Sequence, residues 1–132
     1  MNQYTLIPTI SYGNITFNSE RSSVRSYFGK YKTFTKSKLS ENTTDDFGFC
    51  HTFYDPSNRL IAIELFPETS LIFDNTDLLK LTAEELVNKI IIRDENADID
   101  TFSILSRKLG ICADIEDGLI KSILICTSDY YD

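Results

Sequence analysis

The stretch Gly110-Ile111-Cys112-Ala113-Asp114-Ile115-Glu116-Asp117-Gly118-Leu119-Ile120-Lys121-Ser122-Ile123-Leu124-Ile125 decides the fold class. Two apolar, strand-forming runs flank Glu116-Asp117-Gly118, a turn signal. So short a connection joins antiparallel strands, because a parallel pair needs a crossover of roughly a dozen residues or more. The strands are expected at 109–115 and 119–127. Upstream, 47–54 and 59–66 flank Asp55-Pro56-Ser57-Asn58 in the same way. The run Leu60-Ile61-Ala62-Ile63 is nearly all apolar and reads as a central strand buried on both faces.

Each hairpin follows a helical segment and a shorter strand. Thr82-Ala83-Glu84-Glu85 is a capping box, with Leu81 and Leu86 as its hydrophobic staple, and predicts a helix over 83–92. Asn18 or Ser19 is the expected cap of a helix over 19–28, whose apolar stripe is Val24, Tyr27 and Phe28 and whose end is marked by Gly29. Segments 31–36, 70–73 and 102–105 read as further strands, and 9–17 as strands broken at Gly13-Asn14. The polar stretch 37–46 and the acidic stretch 96–100 read as loops. The chain thus reads as two helix–β–β–β units of about 60 residues. The expected architecture is α+β: one domain over 1–132, a predominantly antiparallel sheet of six or more strands, two principal helices on one face, and an open opposite face.

The composition is ordinary for a globular protein, with 42% hydrophobic and 25% charged residues in 132. No apolar run approaches the roughly 20 residues that span a bilayer. The start Met1-Asn2-Gln3-Tyr4 has no basic region followed by an apolar one, so the expected location is cytoplasmic. Charge is unevenly spread. Residues 1–60 carry seven Lys/Arg against five Asp/Glu, and residues 61–132 carry six against fifteen. The net charge of −7 argues against direct nucleic-acid binding, which needs a basic surface. Tyr31 and Phe34 among lysines could form a base-stacking platform only against that charge.

Little in the chain points to catalysis. The three cysteines, Cys50, Cys112 and Cys126, stand far apart in apolar runs and are expected to be reduced, without metal. His51 is the one histidine and follows Cys50 directly, so on a strand the two side chains point to opposite faces. Alternation puts Glu64 opposite Ile63 and Leu65, on the exposed face. No glycine-rich phosphate loop is present. The expectation is a non-enzyme without cofactor.

Two resemblances add to this. Ser19 to Gly29 followed by Phe47 to Leu65 looks like the helix-and-three-strand repeat of the beta-lactamase inhibitor protein and small outer-membrane lipoprotein A family, though without a lipobox cysteine. In size, acidity and α+β pattern the whole chain is similar to immunity proteins of contact-dependent growth inhibition and other polymorphic toxin systems. That resemblance implies a partner: a cognate toxin domain, expected to be basic and often a nuclease. The candidate partner-binding residues are Asp94, Glu95, Asp98, Asp100, Asp114, Glu116 and Asp117, standing where phosphates would sit on a basic surface. Tyr130 and Tyr131 are candidate aromatic anchors, with a tail packed on the sheet as the plain alternative. A small-ligand pocket protein and a hydrolase with an unrecognised site are the other readings.

Overall fold

Strand pairing builds one dominant sheet in the computed structural model, which describes residues 3–132. The elements run β1 (Leu6–Ile7), β2 (Ser11–Tyr12), β3 (Ile15–Thr16), α1 (Arg21–Phe28), β4 (Lys32–Phe34), β5 (Thr44–Asp46), β6 (Cys50–Tyr54) and β7 (Leu60–Leu65). They continue with β8 (Ile72–Phe73), β9 (Thr76–Asp77), a 3-10 turn over Leu78–Lys80, α2 (Ala83–Arg93), β10 (Asp98–Ile99), β11 (Ser103–Ser106), β12 (Ile111–Glu116) and β13 (Leu119–Cys126). Eight strands form the main sheet in the order β10-β11-β12-β13-β7-β6-β5-β4, antiparallel at every pairing. Two small sheets, β1-β2-β3 and β8-β9, lie outside it.

The expected fold is therefore present, with one correction to its internal repeat. Each half is a helix followed by four strands, and the halves join at β7 and β13. The extra strands, β5 and β10, lie in the two segments read as loops. Their sequences, Thr-Asp-Asp and Asp-Ile, carry no apolar alternation. They are strands because a neighbour supplies the ladder: β6 for β5 and β11 for β10.

The hairpin β12–β13 closes through Asp117 and Gly118, at φ +53 and +76. Positive φ at both central residues is what a two-residue turn matching the right-handed strand twist requires. The α2 capping box is complete: the Thr82 hydroxyl accepts the Glu85 N–H at 3.2 Å, and the Glu85 carboxylate accepts the Thr82 N–H at 2.9 Å. Replacing Thr82 by Ala should cost about 1 kcal/mol, or about 3–5 °C in a thermal melt. E85Q, which keeps an acceptor, should lose less; equal losses, or none for T82A, would contradict this. The other cap differs from expectation. Helix α1 is preceded by Glu20, which makes no side-chain cap bond. Asn18 is instead at φ +73, and its backbone N–H and that of Leu60 bond between the segment and β7.

One register row shows where the helices lie. Ser106, Ile111, Ile125, Ile63, Thr52, Asp45 and Thr33 follow one another across seven strands on a single face. From α1, Arg21 and Arg25 reach Asp45 at one end of that row. From the end of α2, Asp94 accepts from Ser106 at the other. Both helices thus cover the same face, and the core between them holds Val24, Leu86 and Ile90 with the inward side chains of the sheet.

Candidate protein-docking face

The opposite face carries the functional candidates. A second register row crosses all eight strands: Asp98, Leu105, Cys112, Leu124, Glu64, His51, Asp46 and Lys32. At about 4.8 Å per strand it spans roughly 30 Å. It begins at a carboxylate, passes three half-buried sulfur or aliphatic side chains, and continues through a polar group to a lysine.

His51 stands between two carboxylates. Its Nε2 lies 3.4 Å from Asp46 and its Nδ1 3.7 Å from Glu64. The Phe34 and Phe66 rings meet the imidazole edge-on at 5.1 and 4.9 Å. Ser122 donates to Glu64 at 3.0 Å. The order is serine, carboxylate, imidazole, so the hydroxyl bonds the carboxylate, whereas a nucleophile–base pair places the imidazole between hydroxyl and carboxylate. Glu64 is on the second face as expected from alternation, but half-buried.

This face is less open than the sequence suggested. The C-terminal tail folds onto it, and Lys36 reaches over it with its ammonium 4.4 Å from the Phe53 ring centroid. Beneath this cover Thr44, Ala62, Ser122 and Cys126 are buried. The tail arrangement foreseen as the plain alternative is thus present. Tyr130 and Tyr131 pack edge to face, with centroids 5.0 Å apart, and Tyr131 lies against Cys112. Burial raises both phenols above their ordinary value, as it does the Cys112 and Cys126 thiols, the latter to about 12. All three cysteines are free thiols, with Cys50 in the core and Cys112 and Cys126 on the second face. Among the described residues no group of three or more His, Cys, Asp or Glu side chains is placed to hold a metal ion.

The predicted acidic residues separate into three groups. Asp98 opens the register row and pairs with Arg107 at 2.7 Å, and that guanidinium lies 5.9 Å from the Tyr131 ring centroid. Asp114 faces Ser122 and Ser103 across neighbouring strands, and Glu116 lies two residues along the same side of β12. These three share one end of the second face, where Lys121 also pairs with Glu116 at 3.1 Å. Asp100 and Asp117 sit at its margin in turns, and Asp100 is not simply solvated: it accepts the N–H groups of Phe102 and Ser103 at 2.7 and 2.8 Å. Phe102 in that turn is 74% exposed.

Asp94 is a correction. It is 7% exposed, and its carboxylate accepts from Ser106 at 2.8 Å and from the Asn96 N–H at 3.1 Å. The chain reverses directly after α2, which turns this side chain inward to join the helix end to β11. It is a structural residue, unable to meet a partner. Glu95 is exposed in the same reversal, and among the described residues no hydrogen bond or ion pair joins it to the face.

Sequence reasoning passed over Asp46, His51, Glu64, Ser122 and Lys36 as site members. The usable signal was period two: His51 with Phe53, and Glu64 against Ile63 and Leu65, mark positions on one side of adjacent strands. No family model, curated protein or solved structure matches this chain. Among the described residues no helix is long and apolar enough to cross a membrane.

Proposed function

We propose that this chain is an immunity-type inhibitor: it docks a basic toxin domain on the second face of its main sheet and occludes that domain's active site. One observation carries the reading. Exposed carboxylates of Asp98, Asp114 and Glu116 collect at one end of a broad sheet face beside the aromatic tail; Asp98 and Glu116 pair with Arg107 and Lys121, and Asp114 has no ion-pair partner among the described residues. A surface that mixes anchoring aromatics with a charged rim suits protein recognition, where aromatic groups supply affinity and rim charges supply steering. A basic nuclease surface complements the net acidity of residues 61–132, which carry six Lys/Arg against fifteen Asp/Glu. The catalytic step of the toxin is blocked by exclusion, with no chemistry required of this chain.

The test uses the toxin domain encoded directly upstream of the gene. Co-expression should restore growth, and the purified pair should form a 1:1 complex. The double variant D114K/E116K should then slow association by at least tenfold at low salt, with a smaller change in dissociation, because rim charges act mainly on encounter. The gap between wild type and variant should close toward 1 M salt, where the Debye length is about 3 Å. The melting temperature should shift little, since both side chains are exposed. Absence of a complex and of growth rescue would overturn the immunity reading. A complex with unchanged association kinetics would remove the acidic end from the interface.

A further inference from the structure

We infer that the cavity between the C-terminal tail and the second face is a recognition pocket for an arginine side chain of the partner protein. The inference rests on the docking reading for its biological occupant, but the pocket can be tested without it. The cavity measures about 260 Å³, and Glu64, Asp114, Ser122, Tyr130, Tyr131 and Lys36 contribute to its walls. At about 30 Å³ per water that is the space of roughly nine waters, enough for one long side chain.

The chemistry of the walls selects a planar cation. Tyr130 and Tyr131 pack edge to face at 85° and both line the cavity, which gives it an aromatic wall. Cations bind over aromatic faces, and guanidinium does so most readily because it is planar and weakly hydrated. The Tyr131 ring already has the Arg107 guanidinium of this chain 5.9 Å away, so it tolerates that neighbour. Two carboxylates line the same cavity. Glu64 is held in place by the Ser122 hydroxyl at 3.0 Å, and Asp114 is exposed and has no ion-pair partner among the described residues. The two oxygens of a carboxylate accept the forked N–H groups of arginine bidentately, which an ammonium cannot match. Lys36 is the one cation in the wall, and its ammonium is taken up over the Phe53 ring. An incoming guanidinium therefore meets two carboxylates and two rings against one ammonium, so negative charge outweighs positive in the wall.

The experiment follows backbone amide shifts of the full chain during titration with N-acetyl-arginine-methylamide, with the citrulline and lysine analogues as controls. The arginine probe should shift Asp114, Ser122, Leu124 and Tyr131 saturably, with dissociation in the millimolar range. Citrulline, which has the same shape without the charge, should bind at least tenfold more weakly, and lysine several-fold more weakly. D114N should weaken the arginine response at least fivefold, and Tyr131→Leu should do the same with the fold intact by its amide spectrum. D117N, which removes an acidic group at the hairpin tip outside the cavity, should leave the response unchanged. Equal responses to arginine and citrulline, or equal losses in D114N and D117N, would overturn the pocket in favour of a diffuse charge effect. If the probe fails while the toxin complex forms normally, the pocket is overturned and the docking face stands. If the probe binds and no toxin complex forms, the pocket stands and the immunity reading falls.

Discussion

Replacing Asp45 by Asn is expected to lower folding stability by about 3–5 kcal/mol, the usual cost of removing one partner from a buried ion pair. For a chain of this length that corresponds to a fall of roughly 10–18 °C in the melting temperature. Asp45 is fully buried in β5. It accepts from Arg21 at 2.8 and 3.1 Å, from Arg25 at 2.8 and 3.0 Å, from Thr33 at 3.0 Å and from Tyr54 at 3.0 Å. Arg21 is itself 8% exposed and stacks 4.3 Å from the Tyr54 ring centroid. The single carboxylate therefore holds α1, β4 and β6 to β5, and its loss leaves a buried guanidinium without a counter-charge.

The same residue gives the prediction a pH signature. Burial alone would push the Asp45 carboxyl up, but hydrogen bonds from Arg25, Arg21, Thr33 and Tyr54 overcome it and hold the group well below the usual carboxylate range. A carboxyl depressed in the folded state contributes stability that is fully present above its unfolded value of about 3.9 and is lost as pH falls through the folded value. The gap between wild type and D45N should be widest near neutrality and shrink in urea melts below about pH 4. A loss under about 1 kcal/mol, or a gap independent of pH, would contradict the assignment. D46N serves as the neighbouring control, because that side chain is 36% exposed and should cost under about 1 kcal/mol.

Gly110→Ala is expected to cost about 2–4 kcal/mol. Gly110 directly precedes β12 at φ +63, a conformation that strains any residue with a Cβ. A Cβ there would lie 2.6 Å from the Cys126 carbonyl oxygen and 3.0 Å from the Thr9 methyl carbon. The obstacle is backbone that cannot swing aside: the Gly110 carbonyl accepts the Cys126 N–H at 3.0 Å, which ties the two strand ends together. Gly118→Ala is the contrast. Its φ is +76, but no atom lies within 4 Å of the new methyl group, so only the backbone strain of about 1 kcal/mol remains. Chemical denaturation of both variants checks this, and similar losses at the two sites would show that the close approach to Cys126 carries no cost.

Much of the candidate site could be foreseen only one residue at a time. Asp98, Asp114 and Glu116 were legible as exposed carboxylates because acidic residues in and beside hairpin turns are usually solvated. Asp94 belonged to the same acidic run, and nothing local distinguishes it. Its burial follows from the direction in which the chain leaves α2 and from the presence of Ser106 on a strand that pairs later. Tyr130 and Tyr131 were legible as aromatic, but whether a tail packs or projects depends on a surface formed by β12 and β13. Asp45 was hidden for a related reason. In Thr43-Thr44-Asp45-Asp46 it reads as loop polarity, and only the arrival of Arg21 and Arg25 from α1 makes its burial possible.

What the sequence by itself determined is local. It set the antiparallel hairpins at 55–58 and 116–118, the capped helix after Thr82, the duplicated plan of helix and strands, and the split between a basic first half and an acidic second half. Turn dihedrals, capping bonds and hydrophobic period act within a few residues, so they can be read without knowing where the rest of the chain goes. Tertiary structure alone decided the two short strands β5 and β10, the inward turn of Asp94, the counter-charge for Arg21 and Arg25, and the row that carries Asp98, Glu64, His51 and Lys32 across one face. Those features depend on strand register. A shift of one residue would exchange the two faces of any strand, and register is set by long-range pairing rather than by the residues that the pairing brings together.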